Sequence, residues 1–140
     1  MALEIDQTSA GDRVHLQMRR GEDLSARFEL YASGGAPGSC SEPVLGPPLD
    51  LSGYSGVVSS GRIEGTDRPL LVRASLVDKG ALDRPAILAL FVSHLDVEAV
   101  FDEGAYQSFC IEVVAERPGN RISVLAARVD VEDSAFGALA

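Results

Sequence analysis

Apolar and polar residues alternate with a period of two in several runs along this chain. Val14, Leu16 and Met18 alternate with Arg13, His15 and Gln17, which predicts a half-buried strand. Leu24, Ala26, Phe28 and Leu30 alternate with Ser25, Arg27 and Glu29 and predict a second. Arg20-Gly21-Glu22-Asp23 reads as a turn between them. The two runs are therefore candidates for a hairpin, although the turn does not itself impose antiparallel pairing. Residues 1–11 read as a loose N-terminal arm.

Residues 33–48 hold four glycines and four prolines or proline-like breaks: Gly34, Gly35, Pro37, Gly38, Pro43, Gly46, Pro47 and Pro48. Such punctuation predicts a loop with no regular element, and a loop of this length points to a contact surface. The chain is then organised around Pro48-Leu49-Asp50-Leu51-Ser52-Gly53-Tyr54-Ser55-Gly56. Gly53 is expected to permit a tight corner, Asp50 to cap it, and the stretch to lead into a central strand. The strand that follows, residues 54–62, is poor in apolar residues, which favours an edge. Gly61, Gly65 and Pro69 are expected to bracket a further loop.

Residues 70–77 predict a fourth strand, with Leu70, Val72, Ala74 and Leu76 on its apolar face. Residues 86–92 are apolar at both parities, and their length and the flanking Pro85 favour a central strand over a buried helix. Residues 93–100 are the one stretch that predicts a helical turn, with Ser93 as its cap and Asp96 at the capping-box position. Asp102, Glu103 and Gly104 are expected to end it. Residues 105–115 place Phe109, Ile111 and Val113 on one face and Tyr106, Cys110 and Val114 on the other. Residues 116–120, Glu-Arg-Pro-Gly-Asn, predict a hairpin turn into a last strand over residues 121–131, with a tail from residue 133. About seven strands separated by turn signals predict an all-β sandwich over residues 12–132.

Composition narrows the function classes. A single domain is expected for 140 residues. With 12 basic and 21 acidic residues the net charge is −9, which argues against nucleic acid or an anionic membrane as partner. No apolar run approaches the roughly 20 residues of a membrane helix. The acidic start lacks the pattern of a signal peptide, so synthesis in the cytoplasm is expected. Cys40 and Cys110 are expected to be free thiols. There is no tryptophan and only 6% of residues are aromatic, which weighs against a sugar-stacking platform.

These residues carry a family resemblance. An opening strand runs into Arg20-Gly21-Glu22-Asp23; a second strand is followed by Pro48-Leu49-Asp50-Leu51-Ser52-Gly53-Tyr54. A strand over residues 88–92, a helical turn over 94–100 and Gly104-Ala105-Tyr106 follow, and Val129-Asp130-Val131 ends the last hairpin. Over residues 13–131 the chain resembles the small immunoglobulin-like domain of bacteriophage tail and baseplate proteins, of the type found at the N-terminus of baseplate upper proteins. The resemblance implies a small immunoglobulin-like β-sandwich with one short helical turn, in a virion structural protein. Three departures stand out. The Pro/Gly loop is longer, Gln107-Ser108-Phe109-Cys110 replaces a polar tyrosine–aspartate run, and the chain stops after one domain where the family often carries an extension.

Chemistry-bearing residues are sparse, and each has a plain structural reading. Arg19, Arg20, Glu22 and Asp23 read as a solvated turn, or else as a docking patch. Tyr54 and Tyr106 read as packed rings whose hydroxyls find polar partners. His15 and His94 have no ligand at zinc spacing, and Ser93, His94 and Asp96 lack a nucleophile-elbow pattern. The aspartates do not follow a calcium-loop spacing. No metal, cofactor or catalytic residue is therefore expected, although spacing alone does not say whether two carboxylates meet in space as glycoside hydrolysis requires. The leading expectation is a tail, baseplate or fibre-attachment adaptor that docks on copies of itself and on other virion proteins. The alternatives are a capsid decoration protein and, behind it, a cell-surface glycan-binding module.

Overall fold

A computed structural model describes residues 5–9, 13–33, 45–65, 68–100 and 107–132. Among the described residues the chain forms two five-stranded sheets. The first contains β1 (Ile5–Ser9), β3 (Leu24–Ser33), β8 (Ala86–Val92) and β7 (Arg73–Asp78) in that order, with β4 (Leu45–Pro48) also paired to β3. The second runs β2 (Arg13–Arg19), β10 (Asn120–Glu132), β9 (Gln107–Arg117), β5 (Gly56–Ile63) and β6 (Pro69–Leu70). One helix, α1 (His94–Val100), links β8 to β9 across the sandwich. In immunoglobulin lettering β3, β8 and β7 are strands B, E and D, and β5, β9 and β10 are C, F and G. One departure is that β1, beside B, runs parallel to it.

Alternation positions the core. Ala86, Leu88, Leu90 and Val92 on β8 and Phe28 and Leu30 on β3 face Phe109, Ile111, Val113 and Ala115 on β9 and Ala127, Val129 and Val131 on β10, all buried. Each large side chain among them contributes roughly 1.5–3 kcal/mol by leaving water. A bulge in β10 between Ser123 and Leu125 turns two successive residues, Val124 and Leu125, inward. Val97 of α1 covers one end of this core. The β9–β10 turn is closed by Pro118, which presets its own φ, and Gly119, which takes φ +78°.

Five expectations are corrected. The runs at 14–18 and 24–30 are strands but not a hairpin: β2 pairs parallel with β10, β3 pairs antiparallel with β8, and residues 20–23 carry the chain from one sheet to the other. Residues 5–9, expected in a loose arm, form a strand in register with Arg27 to Tyr31. Within the expected loop, Leu45–Pro48 pairs with the end of β3 in an irregular register. Two prolines are tolerated there because an edge strand bonds on one side only. The stretch 48–56 leads not into a central strand but into β5, which has β9 along its whole length and only the two-residue β6 beyond it.

The fifth correction concerns residues 70–77, which are two strands and not one. β6 lies in the second sheet and β7 in the first, so the chain changes sheets at Leu71 and Val72. The expected parity survives the change: Leu70 and Val72 are buried, and Leu71 is half exposed. The Ser59 hydroxyl donates to the Val72 carbonyl at 2.7 Å, satisfying an acceptor that has left the ladder. Gly61, expected in a loop, sits in β5 beneath this crossing. A Cβ there would lie 2.6 Å from Val72 Cγ2 and 2.7 Å from the Leu70 carbonyl oxygen, so only glycine lets the crossing pass this close. The additional strands relative to the expected seven are thus β1, β4 and the second half of this split run.

Gly61→Ala is therefore expected to lower stability by about 1–3 kcal/mol through overpacking. Gly56→Ala, at the start of the same strand with open space around its Cβ position, is expected to change it by no more than about 0.5 kcal/mol. Urea unfolding of the two variants checks the difference.

Candidate functional site

The stretch at 48–56 ties the two sheets together. Leu49 inserts into the first sheet: its N–H donates to the Leu30 carbonyl at 3.0 Å, and its carbonyl accepts from the Ala86 N–H at 2.9 Å. Leu51 donates to the Lys79 carbonyl at 2.7 Å while its side chain is fully buried in the core. Ser55 then engages the second sheet, its N–H and its hydroxyl both donating to the Glu116 carbonyl at 2.8 and 2.9 Å.

Asp50 makes the corner between them. Its Oδ1 accepts the Ser52 N–H at 2.9 Å, an Asx turn, and hydrogen bonding from the Ser52 side chain and then from this N–H holds its carboxyl below the usual range. Gly53 does not adopt a positive φ, and a Cβ there would only touch Arg117 Nη1 at 3.9 Å. The corner is a product of aspartate and not, as expected, of glycine.

Tyr54 locks the corner onto the β9–β10 hairpin. The Arg117 guanidinium lies over its ring, 5.0 Å from the centroid, and its hydroxyl accepts from the Asn120 amide at 3.3 Å. Lys79 Nζ donates to its carbonyl at 2.8 Å. This agrees with the expected packed ring and polar hydroxyl partner. Beside it Glu116 forms an ion pair with Arg121, whose Nε donates at 2.6 Å. Gly104 and Tyr106 lie outside the described residues, as does Cys40.

The turn at 20–23 has a partner that spacing did not show. Asp23 Oδ1 accepts both the backbone N–H of His94, at 2.9 Å, and its Nδ1–H, at 2.6 Å. Asp23 thus bonds the first residue of α1 from the β2–β3 turn, 71 residues away in sequence. Ser93 caps the helix as expected, accepting from the Leu95 N–H at 3.2 Å, and Arg68 donates to the Val100 carbonyl at its other end, at 3.1 Å. His94 therefore faces Asp23 and not Asp96. Its hydrogen bond to Asp23 raises its pKa above the ordinary 6.5, helped by the charges of Asp23 and Glu98. The same bonds from His94, backbone first, lower that of Asp23. Gly21 takes φ +88° in this turn, and Glu22 closes it through its N–H to the Arg19 carbonyl. The four resemblance residues at 20–23 act as a structural joint.

The outer face of the second sheet carries the remaining polar cluster. Arg128 reaches Glu64 Oε2 and Asp130 Oδ1, both at 3.3 Å, and Ser108 donates to Glu64 at 2.5 Å. Half-buried Cys110 is a free thiol in register with Arg128 and Arg62. Among the described residues no group of three or more His, Cys, Asp or Glu is placed to hold a metal. No helix there is long and apolar enough to cross a membrane. Depressions lie across Arg13, Ser60, Arg62, Cys110 and Glu112, over the β9–β10 turn, and across Ser25, Arg27, Arg73 and Ser75. No family model matches the chain, and no curated protein matches it significantly.

Two outcomes follow. Leu51→Ala is expected to cost about 2–5 kcal/mol, read by urea unfolding, since it empties a fully buried position. The Asp23–His94 contact is expected to make stability depend on pH. The His94 contribution is complete below pH 6.5 and fades as pH rises through its raised folded pKa. The Asp23 contribution is complete above 3.8 and fades as pH falls through its lowered folded pKa. Melting curves against pH should show that Asp23→Ala removes stability chiefly between these limits. NMR titration should show His94 moving down toward 6.5 in the variant.

Proposed function

We propose that this chain is a virion structural protein, a tail, baseplate or fibre-attachment adaptor that acts by protein–protein docking and not by catalysis. The observation that carries the reading is the use made of the residues that bear the family resemblance. Asp23 anchors a helix, Asp50 shapes a corner, Leu51 fills the core and Tyr54 holds a hairpin. These four members of the pattern serve the fold itself, which supports reading the pattern as that of a scaffold. What such a scaffold offers to other molecules is its faces and strand edges.

The surface suits that role. Leu71, Val77, Leu82 and Leu95 each expose half or more of their area, and they are spread over β7, two connecting segments and α1. The partners in this reading are copies of the same chain and other virion proteins, and the place of action is the particle. A net charge of −9 disfavours direct attachment to packaged nucleic acid.

Quantitative mass spectrometry of purified particles, with labelled antibody under the electron microscope, tests the proposal. A low copy number confined to the tail end is the expected result. Many copies over the head would replace the adaptor by a decoration protein, and absence from particles would overturn the virion reading.

A further inference from the structure

We propose that two copies of this chain associate by antiparallel pairing of their β7 edges about a two-fold axis at Ser75. The inference rests on the docking reading above and names one partner for it, a second copy. Among the described residues β7 pairs with β8 on one side and with no strand on the other. Such an edge presents unpaired N–H and C=O groups that can accept a further strand.

The sequence of β7, Arg-Ala-Ser-Leu-Val-Asp, is self-complementary once its bulge is counted. Rotation about an axis normal to the sheet keeps each residue on its own face. Centring on Ser75 sets Ser75 against Ser75 and Ala74 against Leu76. In a regular strand Arg73 would next meet Val77. The strand is not regular: against β8, Leu76 faces Leu88 while Asp78 faces Ile87, so Val77 is the extra residue. The bulge brings Asp78 to the outer face, in register with Ile87, just as Arg73 is in register with the exposed Phe91. Arg73 of each copy therefore meets Asp78 of the other, and the pair occurs twice.

The charges are placed to use this. Arg73 is exposed and has no hydrogen-bond or ion-pair partner among the described residues. Asp78 accepts from the Gly80 N–H at 2.8 Å and from Arg84 at 3.3 Å, both through Oδ1, which leaves Oδ2 for the second copy. Half-exposed Val77 flanks each pair and loses solvent on association. The other long free edge, β2, has the opposite character. Centred on Leu16, its self-pairing sets Arg13 against Arg19 at both ends, and like charges directly opposite are destabilising. Charge complementarity thus favours β7 over β2.

Sedimentation velocity of the full chain over increasing concentration is the first test. Reversible dimerisation, weakened by salt, is expected. Arg73→Asp sets carboxylates opposite each other and should weaken the dimer tenfold or more, while Arg73→Lys retains it and both variants melt as the parent does. In a Cys40→Ser, Cys110→Ser background, Ser75→Cys should form a disulfide-linked dimer on mild oxidation, because directly opposed strand residues match disulfide geometry. Gln17→Cys on β2 should not. A chain that stays monomeric without the Ser75→Cys cross-link, or a dimer indifferent to Arg73→Asp, overturns the proposal. A monomeric chain that is present in particles overturns the pairing and leaves the docking reading intact; a β7 dimer absent from particles does the reverse.

Discussion

The fold depends on how residues 49–55 cross between the two sheets. Leu49 bonds to β3 and β8, Ser55 bonds to β9, and between them Leu51 is fully buried. Sheets facing each other across a core have no hydrogen bonds in common, so they are held by apolar contact, which is non-directional. A covalent segment bonded to both supplies the direction: it sets which ends of the sheets meet. Tyr54 extends the hold to the β9–β10 hairpin through Arg117 and Asn120. The short Asx turn at Asp50 keeps this crossing compact without a residue of positive φ.

A second crossing at Leu71 and Val72 obeys the same logic by other means. Here the chain leaves one ladder and enters the other within two residues. The Val72 carbonyl finds the Ser59 hydroxyl, and Gly61 gives the backbone room. A third link, Asp23 to His94, fastens the β2–β3 turn to α1. The three together account for Asp23, Asp50, Tyr54 and His94 among the polar residues that stand out in the sequence. These residues hold structure in place.

Much of this was legible beforehand. The alternation at β2, β3 and β9 predicted both the strands and their apolar faces, down to Phe109, Ile111 and Val113, and the runs at β8 and β10 were legible as strands. Ser93 announced α1, and Pro118-Gly119 announced the last hairpin. The candidate residues were legible in part. Asp50 was read as a cap and Tyr54 as a packed ring with a polar tip, and both are so. Gly61 was misread as loop punctuation, because glycine marks a turn and a close approach with the same letter. The bond from His94 to Asp23 left no local signal, since its two ends are far apart in the chain.

The sequence by itself determined the alternating runs that form strands and which side of each such run is apolar, because a period of two is a local property that any apolar environment will sort; β1 and β4 carry no such signal. Tertiary structure decided which strand lies beside which. Backbone hydrogen bonds are the same for every residue that has an N–H, so alternation carries no address. β2 could satisfy its pattern against β3 and instead runs parallel to β10. The run at 70–77 could satisfy its pattern as one strand and instead serves both sheets. Only the packing of the whole core, with Leu51 seated between the layers and Val72 over Gly61, separates those arrangements.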